Sequence, residues 1–445
     1  MKSLVSRVSL LLTVLNFAAT IAIKPVLSQT TVPPQLNALD QENVTAAVPL
    51  IEQAWEKEYE DYFKRNFSDK SMTVKNIADT LGKIASQTQK KPAIVYMISR
   101  GQQLELLLIT PDGKPIHKRV VEANKEVLQK QVQEFTKLLT NPLYKNSNRY
   151  RQSAQQLYRW MIAPIEADLQ AQNIDTLLFC VGERLRTLPF AALHDGQQFL
   201  VEKYSFSRIP AFKLTDTVYS DLRNSQVLAM GASEFKDQTP LPAVPVELSA
   251  ILKNQWQGKL FLNQEFTLTN FLSQRASQPF KIIHLATHAD FQSGVPNNSY
   301  VQFWDTKLTL DKIKQLNLNN PPVELLVLSA CRTAIGDKDA ELGFAGLAVQ
   351  ARVKSAIATL WNVSDQGTLG LMAEFYPDLK TAPIKAEALR QAQIAMLQGR
   401  VRLESGQLLT STGKIDLPPA LAELENEDFS HPYYWAAFTI VGSPW

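Results

Sequence analysis

The chain has 445 residues, 45% of them hydrophobic and 20% charged. That is enough apolar material for two or three packed units and too little charge for a disordered polyelectrolyte. The formal net charge of +3 resides in the first 28 residues, where Lys2, Arg7 and Lys24 face no acid; the neutral remainder argues against nucleic acid as a partner. Lys2 and Arg7 precede an apolar run from Val8 to Ile23, and Val26-Leu27-Ser28 offers a small-residue cleavage site before Gln29. This pattern predicts a signal peptide over 1–28 and an exported protein, periplasmic or extracellular. The run is shorter than the ~20 residues a bilayer span needs, so no stable membrane span is expected after cleavage.

Residues 29–91 read as a linker and helical lead-in. Gln29 to Asn43 is polar and interrupted by Pro33 and Pro34, which predicts a flexible segment. Val48, Ile51, Trp55, Tyr59, Tyr62 and Phe63 recur at helical spacing and predict a helix over Ala46 to Phe67. A second helix is expected over Thr73 to Ser86, with Thr73 as its N-cap. From Pro92 the pattern changes. Ala93 to Ser99 and Leu104 to Thr110 read as a hairpin, and Thr176–Val181, Val227–Met230, Lys281–Ala286, Val323–Ser329 and Lys354–Leu360 as buried strands. Helical stretches separate most of them. The fold class is therefore α/β, a mostly parallel sheet flanked by helices on both faces. Gly399 to Asp428 is polar and carries Gly406, Gly413 and Pro418-Pro419, which predicts an exposed loop insertion.

Two segments carry reactive side chains. His288 follows the strand Lys281–Ala286, and Cys331 follows Val323–Ser329. In an open parallel sheet, chemistry collects beyond the carboxyl ends of the strands, so neighbouring strands would bring both residues to one rim. A nearby imidazole lowers a thiol pKa and can protonate a leaving amine. The backbone N–H groups of Ala289 and Cys331, expected on turns past the strand ends, are candidate oxyanion donors.

The run Leu328-Ser-Ala-Cys-Arg-Thr333 resembles the cysteine motif of the CHAT family, caspase-like peptidases often found with tetratricopeptide repeats. His284-Leu-Ala-Thr-His288 resembles its histidine motif. Further ordered matches are Leu188-Pro-Phe-Ala-Ala-Leu193, Gly343-Phe-Ala-Gly-Leu-Ala348, Ala356-Ile-Ala-Thr-Leu-Trp361-Asn-Val-Ser-Asp365 and His431-Pro-Tyr-Tyr-Trp-Ala-Ala-Phe438. The resemblance implies a caspase–hemoglobinase-like fold over 92–445, with a degenerate lobe over 92–225 and a catalytic lobe over 226–445. It implies a cysteine endopeptidase with His288 as base or acid, Cys331 as nucleophile, a protein or peptide substrate, and neither metal nor cofactor. In such folds the loop after the strand at Lys354–Leu360 lines the specificity pocket. Trp361 and Asp365 are the substrate-binding candidates there, and a carboxylate would favour Arg or Lys; the alternative for Asp365 is a helix cap. Two departures stand out: Ala289 and Arg352 occupy positions where the family commonly has Gly.

Other readings compete. Ala289 favours a catalytically inactive module that binds a peptide or partner, and no repeat array is present to sense a regulatory protein partner. His284 alternates with apolar strand residues and reads as a hydrogen-bonded core histidine. His117 and His194 sit in turn-like contexts and read as surface residues. Cys180, inside Leu177-Leu-Phe-Cys-Val181, reads as a small buried hydrophobe, with a Cys180–Cys331 disulfide as its rival. The scattered His and Cys lack metal-ligand spacing.

Overall fold

The computed structural model describes residues 32–67, 71–253, 256–423 and 425–445, the side chains of residues 330, 331 and 420 excepted. The predicted signal peptide lies outside these residues. Three helices come first: α1 (Pro34–Asp40), α2 (Val44–Phe63) and α3 (Val74–Thr88). The segment expected to be flexible therefore contains a helix. Pro34 sits at its first turn, where the missing N–H costs nothing, and Ala38 and Leu39 are buried beneath it. Thr73 caps α3 as expected, its hydroxyl accepting from the Asn76 N–H at 3.1 Å.

The core is a sheet of thirteen strands. The first lobe supplies β1 (Pro92–Ser99), β2 (Leu104–Ile109), β3 (Ile116–Val120), β4 (Thr176–Val181) and β5 (Ser205–Ile209). The second supplies β6 (Val227–Gly231), β7 (Gly258–Leu262), β8 (Ile282–Phe291), β9 (Tyr300–Gln302), β10 (Lys307–Thr309), β11 (Leu325–Thr333) and β12 (Ser355–Thr359). Between β12 and the last strand lie four short strands, β13 (Arg402–Glu404), β14 (Gln407–Thr410), β15 (Gly413–Asp416) and β16 (Glu427–Asp428); β17 (Phe438–Gly442) then closes the main sheet. Its order is β10-β9-β8-β11-β12-β17-β5-β4-β1-β2-β3, with β6 pairing β7 and the first half of β8.

The two lobes repeat one topology. In each, a central strand (β1 or β8) leads into an antiparallel hairpin on its outer side. On its inner side it pairs in parallel with the fourth strand of the set (β4 or β11), which pairs in parallel with the fifth (β5 or β12). Strand β17 joins them, antiparallel to β12 and parallel to β5. The two sets consequently run in opposite directions. At the seam, buried Arg208 donates to Thr439 Oγ1 at 3.2 Å and to the carbonyl of Leu188 in the Leu188–Leu193 motif. Burial pushes this guanidinium down to about 9.

Helices α4 (Lys125–Thr140), α5 (Tyr150–Met161), α6 (Ala163–Ala171), α7 (Leu200–Lys203), α8 (Val244–Lys253), α9 (Leu268–Ser277), α10 (Lys338–Ala345), α11 (Leu347–Ala351), α12 (Asp365–Leu379) and α13 (Lys385–Leu397) cover the sheet. The segment Gly399–Asp428, expected as a loop, instead folds into a separate antiparallel sheet, β15-β14-β13-β16. Leu403 and Leu408 face each other across β13 and β14, and both are buried. Such short strands carry too few alternating apolar residues to announce themselves.

Candidate active site

His288 and Cys331 come together through backbone register. Strands β8 and β11 are parallel neighbours, with Ala330 opposite His288, Cys331 opposite Ala289 and Arg332 opposite Asp290. Between Leu328 and Ala330 the register shifts: Ala286 and Thr287 on β8 oppose the single residue Ser329. Bulges of this kind bend a strand and re-aim the residues after it. His288 and Cys331 lie inside these strands, not on turns past their ends as the sequence suggested. Pairing continues because β9 takes up the outer edge of β8, with Ala289 opposite Val301 and Asp290 opposite Tyr300.

The imidazole of His288 is half-buried under the loop that follows β6. Its Nε2 lies 2.8 Å from the Thr239 carbonyl oxygen, and the Phe235 ring packs over it at 4.6 Å between centroids. A carbonyl only accepts, so Nε2 carries the proton and, in the neutral ring, Nδ1 is the free acceptor. Burial lowers the His288 pKa below the ordinary histidine value, opposed by the Thr239 contact and the charge of Asp290. The ring is therefore neutral near pH 7, the state a general base requires.

Beside His288 is a cleft of about 250 Å³ whose walls include Thr239, Asp290, Tyr300, Arg332 and Asn362. Asp290 accepts from Arg332 Nη2 at 3.0 Å and from Gln292 Nε2 at 2.8 Å. Ala289 is buried in strand backbone outside the left-handed region, so its methyl group imposes no strain. Arg352 does pay: it ends α11 with φ 58° and ψ 42°, the left-handed conformation glycine adopts freely.

Of the loop after β12, Asn362 reaches the cleft, whereas Trp361 and Asp365 are not among its walls. Trp361 is buried and donates its indole N–H to the Tyr433 carbonyl at 3.0 Å. Ser364, not Asp365, caps α12 by accepting from the Gly367 N–H. Asp365 instead accepts the Ala243 N–H at 2.5 Å, anchoring the far end of the loop that carries Phe235 and Thr239. Burial, with the charge of Glu247 adding to it, pushes the Asp365 carboxyl up to about 7 against the lowering pull of Ala243.

The other histidines and Cys180 have structural partners. His284 is buried, with Nδ1 2.9 Å from the Tyr376 hydroxyl and Nε2 2.9 Å from Glu247 Oε1, the latter not aligned as a hydrogen bond. His117 and His194 are not surface residues. His117 Nε2 lies 2.7 Å from the buried Glu105 carboxylate, and His194 Nδ1 accepts the Gly196 N–H from a buried ring. Cys180 is a buried free thiol whose Sγ lies 3.6 Å from the Pro210 carbonyl. Its strand β4 is separated from β11 by β5, β17 and β12. Four ladder steps amount to roughly 19 Å, beyond the ~7 Å a disulfide allows between Cα atoms. Among the described residues no three His, Cys, Asp or Glu cluster as a metal site, and no helix is long and apolar enough to cross a membrane.

The CHAT domain model matches residues 151–443. The chain belongs to the CHAT domain family. No curated protein matches it. Among solved structures it is similar to separase in the Saccharomyces cerevisiae separase–securin complex, with a TM-score of 0.53 and 9% identity over 90% of this chain. A second structure of that complex matches with a TM-score of 0.49 and 9% identity over 93% of this chain. In each case the match spans 34% of the solved chain. At this identity the likeness shows the fold, which is that of the caspase-like proteases. The CHAT match begins inside α5, although α2 and α3 are already part of the same core. Sequence reasoning missed Phe235, Thr239, Asp290 and Arg332. Asp290 and Arg332 had a signal, since aligning His288 with Ala330 pairs them. Phe235 and Thr239 had none, because their contact with His288 is non-local.

Proposed function

We propose that this CHAT domain is a cysteine endopeptidase in which Cys331 is the nucleophile and His288 the general base and acid. The observation that carries it is the His288–Thr239 contact: it fixes the proton on Nε2 and leaves Nδ1 as the acceptor on a ring whose strand neighbours Cys331. Cys331 loses its proton to Nδ1, and its sulfur forms a bond to the peptide carbonyl carbon, placing the negative charge on oxygen. Collapse of this intermediate breaks the C–N bond, and Nδ1–H protonates the departing amine. Water, deprotonated by the same nitrogen, then hydrolyses the thioester and returns the thiol. Backbone N–H groups of Ala289 and Cys331 serve as the oxyanion donors. The protein acts outside the cytoplasm on protein or peptide substrates under a regulatory protein partner.

A second reading keeps the fold as a peptide- or partner-binding module without turnover. It is favoured by the small cleft and by Phe235 lying over His288. Peptide-library cleavage separates the two. Turnover lost in Cys331→Ala and retained in Cys180→Ala supports the peptidase; saturable peptide binding with no cleavage by the unsubstituted protein supports the binding module.

A further inference from the structure

The repeated topology gives the catalytic strands counterparts in the first lobe: β1 corresponds to β8 and β4 to β11. Cys180 lies one residue from the end of β4, opposite Tyr96 on β1. Where the second lobe has its cleft, the first lobe holds helix α2. The buried Glu52 carboxylate accepts from the Tyr96 hydroxyl at 2.7 Å, the Phe212 N–H at 3.0 Å and the Lys213 N–H at 2.8 Å. The charge of Glu52 acts on Cys180, whose thiol burial pushes well above its ordinary value. A chain segment with its own buried acid thus occupies the counterpart of the active site.

The same helix reaches the second lobe. A Cβ added at Gly346 would lie 2.5 Å from Phe63, and one at Gly343 would lie 3.0 Å from the Tyr62 hydroxyl. The two glycines of the Gly343–Ala348 motif are therefore the floor on which α2 sits. They belong to α10 and its C-cap, directly after the loop that leaves β11. The N-cap of α10, Asp337, accepts from Ser293 Oγ at 2.8 Å, so α10 also holds the loop leaving β8. A shift of α10 reaches the exits of both the His288 and the Cys331 strands.

We propose that α2 is a positioning element of the dyad: Glu52 locks it into the first lobe's filled cleft, and Phe63 seats α10 behind Cys331, so Cys331 reactivity follows the docking of α2. This rests on Cys331 being the nucleophile. Seating by interdigitated side chains transmits small displacements because packed interiors have discrete arrangements.

The test measures alkylation of both cysteines by iodoacetamide against pH, in the full chain and in Phe63→Ala, Glu52→Gln and His288→Ala. In Phe63→Ala, Cys331 is expected to slow about threefold at pH 7 with a shifted pH midpoint, while Cys180 stays protected. Glutamine offers one acceptor oxygen where two carboxylate oxygens now serve, so Glu52→Gln is expected to expose Cys180 by about tenfold and to slow Cys331 as well. Phe63→Leu replaces Phe63→Ala if the latter does not fold. An unchanged Cys331 rate and midpoint in both α2 variants, with only a lowered melting temperature, overturns the inference and leaves α2 as scaffold. The His288→Ala arm keeps the two claims apart. A Cys331 rate indifferent to His288 defeats the peptidase, whereas indifference to α2 with dependence on His288 defeats only the positioning role.

Discussion

Gly346→Ala tests the seat of α2 on α10. The new methyl carbon would stand 2.5 Å from Phe63 Cε2, 2.8 Å from Cζ and 2.9 Å from the Leu342 carbonyl oxygen. Carbon pairs rest at about 3.5–4.0 Å, so the ring must retreat by roughly 1 Å. It cannot do so freely: Phe63 is buried, with Tyr62 edge-on at 4.9 Å and Tyr59 stacked at 6.4 Å. Overpacking of this kind costs about 1–3 kcal/mol. The assay is the guanidinium unfolding midpoint at unchanged slope, which reports stability alone. Because the two shortest contacts are with one ring and the third is with the Leu342 carbonyl, Phe63→Leu should recover part of the loss, with a coupling of about 0.5–3 kcal/mol in the double-mutant cycle. A Gly346→Ala protein as stable as the parent, or a clash that Phe63→Leu leaves unrelieved, would refute the packing described.

Arg352→Gly should stabilise the protein by about 0.5–1 kcal/mol, the left-handed penalty less the extra unfolded-state freedom of glycine; a lower melting temperature would contradict it. Asp365 has a folded pKa of about 7, raised above its ordinary carboxylate value. Its sign is therefore that of a group favouring the fold when protonated, so stability is lost as pH rises from about 4 towards 7 and Asp365→Asn should flatten that part of the profile. If Asp365 recognises Arg or Lys, kcat/KM for such substrates should climb through pH 7 and lose the climb in Asp365→Asn; an unchanged profile would remove Asp365 from recognition. Thr239 acts through its carbonyl, which side-chain substitution leaves in place, so Thr239→Ala should retain the pH profile of cleavage, whereas Thr239→Pro, by bending the loop, should shift it.

The sheet was legible because its central strands are continuous apolar runs, as buried parallel strands must be. The ends of β8 and β11 were not, since His288, Asp290 and Arg332 are polar residues kept in strand conformation by the pairing of β8 with the sequence-distant β11 and by the short strand β9 on the outer edge of β8. Helix α2 was legible as a helix but not as part of the core. Glu52 and Glu56 lie on its buried stripe with Val48 and Tyr59, and an acid there reads as exposed until Tyr96 and Lys213 are seen facing it. At the site, the positions of His288 and Cys331 followed from spacing and resemblance. The loop carrying Phe235 and Thr239 did not, because nothing local marks a carbonyl that will meet a ring 49 residues away.

The most direct test of the dyad is the alkylation rate of Cys331 against pH in the parent protein and in His288→Ala, with Cys180 as the buried control. The account predicts a Cys331 that reacts fast near neutral pH, slows as His288 protonates below its ordinary pKa of about 6.5, and without the imidazole slows near neutral pH and reacts fast only as pH rises to an ordinary thiol pKa of about 8.5. A Cys331 that reacts as slowly as an ordinary thiol, with the same pH midpoint in both proteins, would contradict it.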